Sequence, residues 1–319
     1  MSAAAFLHPR WQGALTAFGL PSPPMERRAD CGACVMCSPS DWTAWRPDLA
    51  YRADMRCCSF TPGLWSFQVG ALLAEPGPER PALTARIDGP RSAPLGLLPG
   101  QMGDDRYRRA VEAGGFGRDA SLRCPHYAVE RGSCTIWSER NATCATWYCR
   151  HDRGLVGGAS WSALHHLLGL LEGWLARSAW AAGGGRGDGW TWQEGEDRRE
   201  VYRAAAAFVA AWSWEDAWER APAQVAAAAA AYRAACGRLE DPAPRAVRRG
   251  TWEEVHRDDR RAWVVGERRV DAVALALADA SRIAAADAPV AWEDLVAELG
   301  ENTAWELLDR GVLVEAGRG

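Results

Sequence analysis

The sequence predicts a mainly α-helical protein with an irregular, cysteine-rich N-terminal domain and a winged-helix-like C-terminal end. Three observations lead to this prediction. Nine of the ten cysteines lie in the first half of the chain. Apolar residues recur near helical spacing in residues 160–182, and the segment 245–319 ends in two helical stretches, a glycine and a β-prone run. The predicted domains are a cysteine-cluster metal-binding domain (1–155), a helical bundle (156–244) and a small winged-helix-like module (245–319).

Composition places the chain among folded, water-soluble proteins. It has 319 residues, 48% of them hydrophobic and 24% charged, which is enough for two or more cores. The N-terminus has no basic segment followed by an unbroken apolar stretch, so a secretory signal is not expected. No apolar window is long enough to cross a membrane. The predicted location is therefore the cytoplasm, where clustered cysteines are more often metal ligands than disulfides.

The first half alternates short apolar stretches with proline-rich loops. Pro21–Pro24 ends the first apolar stretch. Residues 64–74 form an apolar run that periodicity leaves open as helix or strand. Recurrent Pro and Gly predict loop or extended structure from Glu75 to Gly100. Asp104–Ala113 is a predicted short helix, ended by the glycine pair that follows it.

The middle of the chain predicts a helical bundle. Gly154–Gly158 has the composition of a linker, and Ser160 is a predicted N-cap for a helix that runs to about Ala182. Two further helices are predicted at about Glu194–Trp212 and Pro222–Cys236. The many alanines of the last of these indicate close packing between helices.

The C-terminal segment predicts a small mixed module. A strand is expected at Ala262–Val265, helices at Val270–Ala286, Trp292–Leu299 and Thr303–Arg310, and a last strand at Val312–Val314. A module that reads DNA needs basic residues on its last helix, and this one is net acidic. With a net charge of −4, the chain is predicted to bind no nucleic acid, and the C-terminal half is predicted to contact a protein or peptide partner.

The first cysteine group is Cys31, Cys34 and Cys37, spaced C-x2-C-x2-C. Three thiolates at this spacing can occupy three corners of a cubane, as in bacterial ferredoxins, whereas a zinc site is more often built from two close pairs. The pattern therefore favours an iron–sulfur cluster. Its fourth ligand would come from elsewhere, and the adjacent cysteines Cys57 and Cys58 are the nearest candidates.

The second cysteine group is Cys124, Cys134, Cys144 and Cys149, spaced C-x9-C-x9-C-x4-C. Four thiolates satisfy either an iron–sulfur cluster or Zn2+, so zinc stays as the alternative cofactor. Gly132 permits the tight turn that such a loop needs. The nearby histidines are secondary candidates, because enough thiols are present without them.

The second group resembles the second block of the cysteine-cluster family described by the pattern CxxCxxCC. That block runs as Cys-Pro, then Gly-x-Cys, an Ile-Tyr-like pair, Glu-Arg, a cysteine and a final cysteine. The matching positions are Cys124-Pro125, Gly132-Ser133-Cys134, Ile136-Trp137, Glu139-Arg140, Cys144 and Cys149. Members of this family are described as zinc- or iron-chelating or iron–sulfur proteins, and they include the flagellin lysine N-methylases.

The resemblance covers residues 25–155 and implies metal binding by both cysteine groups. One departure concerns the first group. The family pattern places the adjacent cysteines directly after the second spacer, but here Ser38 follows Cys37 and the pair comes at Cys57-Cys58. The fourth ligand of the first group therefore stays open.

Three hypotheses for function follow. The first is a metalloprotein with one or two cysteine-ligated centres that serves the modification of a protein or peptide partner. The second is a non-catalytic zinc or iron chelator in which the metal supplies folding energy. The third is an electron-transfer protein. No residue pattern indicates methyl transfer, a phosphate-binding loop or a paired-carboxylate site, so the sequence does not decide whether the chain is an enzyme.

Overall fold

A computed structural model gives the fold, and helices dominate it. It describes residues 7–25, 34, 36–37, 50–74, 77, 80–100, 104–148, 151, 154–240, 244, 246–257, 259, 261–266, 273–285, 288–309 and 311–316. The mainly α prediction is confirmed. Within the described residues, no helix has the length and apolarity needed to cross a bilayer.

The chain forms two compact units, each assembled from separate stretches of sequence. The first unit comprises Met1–Ser22, Tyr51–Trp147 and Ala163–Tyr232. The second unit comprises Pro23–Ala50, Tyr148–Ser162 and Arg233–Gly319.

The elements up to residue 240 are mainly helical. They are α1 (Pro9–Ala17), β1 (Leu64–Trp65), α2 (Ser66–Ala74), α3 (Arg80–Asp88), β2 (Ser92–Ala93), β3 (Gly96–Leu97), α4 (Asp105–Glu112), β4 (Tyr127–Ala128), β5 (Ser133–Cys134), α5 (Ala142–Thr146), α6 (Gly154–Ala182), α7 (Arg198–Ala210), α8 (Trp214–Trp218) and α9 (Ala223–Glu240). The boundaries between the two units fall within α6 and α9, so each of these helices has residues in both units.

The first unit has an apolar core to which the strands of its small sheet contribute Leu64 and Leu97. The buried face of α6 presents leucines at helical spacing, all fully buried: Leu164, Leu167, Leu168, Leu171 and Leu175. Strands β1, β3 and β2 form a small antiparallel sheet. Helix α2 packs closely on α7, where Gly70 faces the backbone of Tyr202. Tyr202 is fully buried and donates its hydroxyl to the carbonyl of Ala93 at 2.9 Å.

Among its described residues, the second unit has two sheets and three short helices of its own. Its elements are β6 (Ala246–Arg249), β7 (Trp252–Arg257), β8 (Arg261–Gly266), β9 (Val273–Ala276), α10 (Leu277–Ala285), β10 (Val290–Ala291), α11 (Trp292–Leu299), α12 (Glu301–Asp309) and β11 (Leu313–Glu315). One antiparallel sheet has the order β10-β6-β11 and the other β7-β8-β9. A shared core, including Val247, Leu295 and Leu307, joins α11 and α12 to these strands.

Two loop predictions are wrong. Residues 75–100 contain α3, with Pro81 in its first turn, where a missing N–H costs nothing because that donor has no helical partner. Gly154–Gly158 is the start of α6 and not a linker. Ser160 accordingly lies inside the helix, fully buried, and its hydroxyl donates to the carbonyl of Gly157. Tertiary packing outweighs the low helix propensity of glycine there.

Other predicted elements are present, one with the predicted boundaries and others with shifted boundaries. The open run 64–74 divides into strand β1 and helix α2. Helix α11 coincides with the predicted Trp292–Leu299. The predicted helix Val270–Ala286 begins late, because residues Val273–Ala276 pair with β8 before α10 starts. Strand pairing outweighed the helical pattern at those four residues.

Candidate metal centre

Five cysteine side chains lie close together in the first unit. Cys144 interacts electrostatically with Cys124 and Cys134. Cys57 interacts with both Cys134 and Cys144, and its side chain forms a hydrogen bond with that of Cys58. None of the described cysteines forms a disulfide. The fold therefore places the adjacent pair from upstream beside three members of the second cysteine group.

A hairpin returns Cys134 toward Cys124. Strands β4 and β5 are antiparallel, with Tyr127 opposite Cys134. The turn between them ends at Gly132, whose φ of 58° is in the left-handed region, as the sequence predicts for this glycine. The N–H of Thr135 donates to the carbonyl of His126 at 2.8 Å and fixes the register next to the sulfurs.

The Cys57-Cys58 segment is bonded directly to the loop that carries Cys124. The N–H of Cys124 donates to the carbonyl of Cys58 at 2.8 Å. The turn before this pair contains Arg56 at a φ of 54°, a left-handed conformation that costs energy for a residue other than glycine. The guanidinium of Arg56 lies against Gly132. The strained turn and the hairpin are therefore held against each other.

Cys144 lies in the first turn of α5. The side-chain oxygen of Asn141 accepts from the Cys144 N–H at 3.0 Å and caps the helix. The N–H of Ala142 donates to Oε1 of Glu172 on α6 at 2.7 Å. These two bonds fix the start of α5, and with it the position of the Cys144 thiol.

The surroundings of four of these thiols favour the protonated form. Burial raises the pKa of Cys124 to about 11. Burial and the neighbouring thiolate charges raise the pKa of Cys144, and burial raises that of Cys134. The hydrogen bond with Cys58, followed by burial, raises the pKa of Cys57. A metal that binds here must therefore displace protons from sulfur.

Backbone N–H groups point at three of these sulfurs. Cys124 Sγ accepts from the N–H of His126, and Cys134 Sγ accepts from the N–H of Ile136. Cys57 accepts from its own N–H. Each bond favours the thiolate and lowers the pKa against the effect of burial. The two bonds at Cys124 and Cys134 share the same spacing of two residues, so the hairpin presents both sulfurs in the same local geometry.

Arg86 and His126 form a buried pair beside Cys124. Arg86 Nη1 donates to His126 Nε2 at 2.9 Å, and Nη2 donates to the carbonyls of Pro62 and Leu98. Burial lowers the pKa of Arg86 to about 10, so this side chain stays charged at neutral pH. The other ring nitrogen of His126, Nδ1, is buried without a hydrogen-bond partner.

A second guanidinium, that of Arg140, also acts on the thiols. Arg140 interacts with Cys134 and Cys144 and lowers the pKa of both against the larger effect of burial. Its guanidinium lies 3.4 Å from the ring centroid of Trp137, and its Nη1 donates to the Cys144 carbonyl. Two guanidinium groups, those of Arg86 and Arg140, therefore act on the sulfurs.

Glu139 does not pair with its sequence neighbour Arg140. It is buried, forms an ion pair with Arg10 at 3.3 Å, and its Oε1 lies 3.2 Å from Nε2 of His8. Arg10 also lies 4.9 Å from the ring centroid of Phe67. The N-terminal helix α1 is thereby attached to the segment that separates Cys134 from Cys144.

The other predicted ligands lie elsewhere. Cys34 and Cys37 belong to the second unit, where the Cys37 N–H donates to the Cys34 carbonyl at 3.0 Å. Cys31 and Cys149 lie outside the described residues. Cys236 is buried in α9.

The sulfurs of the first unit do not form a closed coordination sphere. In the part of the chain that the structure describes, no group of three or more His, Cys, Asp or Glu side chains is arranged so that it could hold a metal ion. The chemistry of the donors fits a thiophilic metal.

Two residues near the thiols were missed by sequence reasoning. Arg86 lies in the segment predicted as loop, although Leu83 and Ile87 flank it at helical spacing. Glu172 is fully buried on α6. The sequence does carry a signal for Glu172, because it is a lone carboxylate within an apolar run of the helix.

Comparisons with known proteins yield no match, whether to protein-family models, to curated proteins or to solved structures. The resemblance of residues 124–149 to the CxxCxxCC family therefore stays a prediction from its cysteine block.

Proposed function

We propose that the chain is a metal-binding protein whose first unit holds one thiolate-ligated centre through Cys57, Cys124, Cys134 and Cys144. The observation that carries this proposal is the convergence of these four thiols from well-separated parts of the sequence. Four thiolates satisfy Zn2+ or an iron–sulfur cluster. The iron–sulfur cluster is the cofactor that we favour, because the upstream C-x2-C-x2-C motif is typical of that class.

Cys57 is the better ligand of the adjacent pair. Its side chain interacts with both Cys134 and Cys144, whereas Cys58 enters the group through its hydrogen bond with Cys57 and through its backbone carbonyl. Cys58 then remains as a thiol next to the centre.

The charges around the sulfurs support this assignment. Four thiolates around a divalent centre carry a net charge of about −2. Arg86 and Arg140 together supply two positive charges close to the sulfurs. Without a metal, these cations face neutral thiols in a partly buried site, which is electrostatically unfavourable for both guanidinium groups.

The orphaned Nδ1 of His126 is a second supporting observation. Because arginine always donates, Nε2 of the neutral ring must accept from Arg86, and the ring proton is on Nδ1. A buried N–H without an acceptor is costly. A thiolate or an inorganic sulfide at the centre would be a suitable acceptor for it.

Metal binding must also draw the sulfurs together. Proton release and a small closure of the loops that carry Cys57 and Cys144 would accompany it. The free energy of binding would then contribute to the stability of the first unit. With four protein thiolates the coordination sphere is closed, which favours a structural or electron-transfer role for the metal over catalysis at the metal itself.

The remaining parts of the chain complete the proposal. We infer an irregular, cysteine-rich N-terminal domain and a second centre that draws on Cys31, Cys34 and Cys37. The end of the chain, with α11, α12 and β11, would form the winged-helix-like module and contact a protein or peptide partner. The chain would work in the cytoplasm, where thiols stay reduced.

The test is metal analysis of protein purified without oxygen. We expect bound iron with a broad brown visible absorbance, or zinc without colour, at one or more metal equivalents per chain. Cys134→Ala should lose the metal of the first unit. Cys236→Ala, which removes a buried thiol from α9, is the matched control and should retain all of it. Metal-free protein, or full metal content in Cys134→Ala, would reject the proposal.

A further inference from the structure

A cleft with a volume of about 250 Å³ lies in the first unit beside α5 and α6. Its walls include Leu64, Leu97 and Phe60, which are apolar, and its polar groups include Glu172 and His165. The volume is below that of sites for drug-sized ligands, so it suits a molecule of a few heavy atoms. The cleft is formed entirely within one compact unit.

Glu172 is the acidic side chain of this cleft. It is 2% exposed, and its two carboxylate oxygens accept three hydrogen bonds. Oε1 accepts from the Ala142 N–H and from Gln68 Nε2, and Oε2 accepts from Trp65 Nε1 at 3.2 Å. Among the described residues, no arginine lines the cleft, although Arg10 is near enough to act on Glu172.

Two tryptophans form an aromatic wall next to this carboxylate. The ring centroids of Trp65 and Trp190 are 6.0 Å apart, with 50° between their planes. Trp190 is 39% exposed at the mouth of the cleft, although a large apolar side chain is normally covered. Aromatic faces attract cations, and they do so most strongly where water is excluded.

We propose that this cleft binds a small organic cation, an alkylammonium or quaternary ammonium group, with Glu172 as its counter-charge and Trp65 and Trp190 as its aromatic wall. A buried carboxylate costs least when a cation accompanies it. The three hydrogen bonds hold the carboxylate in place and leave one Oε2 lone pair for the ligand. In the empty cleft burial raises the pKa of Glu172 to about 8, so the carboxyl group is mostly protonated at neutral pH and cation binding would release that proton. A neutral ligand would use the aromatic wall without this exchange of a proton for a cation.

The cleft also shares α5 with the thiol group. Asn141, Ala142 and Thr143 line it, and Cys144 is the next residue along the same helix. A bound cation would therefore lie close to the proposed centre. The inference does not depend on that centre, because every group that it invokes is on the wall of the cleft.

Isothermal titration calorimetry at about pH 9, above the pKa of Glu172, with choline and with n-butylammonium as probes tests the proposal. We expect one saturable site for at least one of these cations, and binding weaker by about tenfold or more for its neutral isostere, 3,3-dimethyl-1-butanol or n-butanol. Trp190→Ala should weaken cation binding several-fold, and Glu172→Gln about tenfold or more. Trp147→Ala, which removes a 55% exposed tryptophan outside the cleft, should bind like the wild type.

The outcomes separate this inference from the proposed function. Cation binding by a chain that holds no metal would support the cleft and reject the metal centre. Metal binding without saturable binding of either cation would overturn the inference alone. Equal affinity for a cation and its neutral isostere, or unchanged binding in Trp190→Ala, would also overturn it. Because Trp190 is exposed, its variant keeps the test valid even if Glu172→Gln fails to fold.

Discussion

The guanidinium of Arg86 donates to Nε2 of the buried His126 across 2.9 Å, and the same guanidinium satisfies two backbone carbonyls. Burial and the charge of Arg86 lower the pKa of His126 to about 4. The ring is therefore neutral at physiological pH. This pair joins α3 to the loop that carries Cys124, and it fixes the tautomer of the imidazole beside the thiols.

Replacing Arg86 should destabilise the first unit. Arg86→Met removes three hydrogen bonds and leaves the carbonyls of Pro62 and Leu98 without their donor. We expect a loss of about 2–4 kcal/mol in the free energy of unfolding, measured as a lower urea midpoint. Arg108→Met is the matched control, since that guanidinium is exposed on α4 and forms only surface ion pairs; it should leave the midpoint unchanged. Equal effects of the two variants would contradict this view of Arg86.

The adjacent cysteines should differ in their effect on metal content. Cys57→Ala removes a proposed ligand and should lower the metal content of the first unit by most of one centre. Cys58→Ala removes the hydrogen bond to Cys57 but leaves the proposed ligands intact, so it should retain most of the metal. Metal analysis of both variants in parallel is the measurement. If Cys58→Ala loses the metal and Cys57→Ala retains it, then Cys58 is the ligand and Cys57 is not.

Glu172 should make stability depend on pH. Burial raises its pKa to about 8, against an ordinary value of 4.5. The folded chain therefore holds a proton that the unfolded chain has released between these two values. The stabilisation is full below pH 4.5, decreases by about 1.4 kcal/mol per pH unit at most as pH rises toward 8, and changes no further above it.

Urea unfolding at pH 5.5 and 7.5 tests this dependence (about 3 kcal/mol between the two as an upper bound). Glu172→Gln cannot ionise, so its stability should change less between these pH values than that of the wild type. Glu112→Gln, on the exposed face of α4, should keep the wild-type dependence. If Glu172→Gln shows the same change as the wild type, the carboxyl group does not titrate in this range.

Helix α2 should tolerate no side chain at Gly70. A Cβ there would overlap the carbonyl oxygen of Tyr202 on α7, so the two helices would have to move apart. Gly70→Ala should cost about 1–3 kcal/mol or more in thermal or urea unfolding. Gly237→Ala is the matched control, because a Cβ at that helical position meets nothing within 4 Å. The control should be stabilised by about 0.5–1 kcal/mol, and a harmless Gly70→Ala would contradict the close packing of α2 on α7.

Much of the fold can be predicted from local sequence patterns. The boundaries of α11 follow from its apolar spacing, and the turn at Gly132 follows from the need for a left-handed residue. Where prediction fails, a long-range contact decides. Gly154–Gly158 is helical as part of α6, in which Gly157 and Gly158 are buried, and Val273–Ala276 is a strand because β8 pairs with it.

In the candidate site, too, local sequence patterns predict some features and long-range contacts decide others. Spacing and composition single out the cysteines as a group, but they assign Cys57 and Cys58 to the upstream motif. The hydrogen bond from Cys124 to Cys58 brings the pair to the second group instead. No local pattern could show that contact, because it joins residues far apart in sequence. The partners of Arg86 and Glu172 are also contributed by other elements, so the local signals at these two residues do not show what they contact.

The most direct measurement of the central claim is X-ray absorption spectroscopy at the metal edge of anaerobically purified protein. A thiolate-ligated centre predicts a first shell of sulfur at about 2.3 Å. In Cys144→Ser the shell should lose sulfur and gain a lighter atom, or the metal should be absent. A first shell of nitrogen and oxygen alone, or a Cys144→Ser spectrum identical to that of the wild type, would contradict the account.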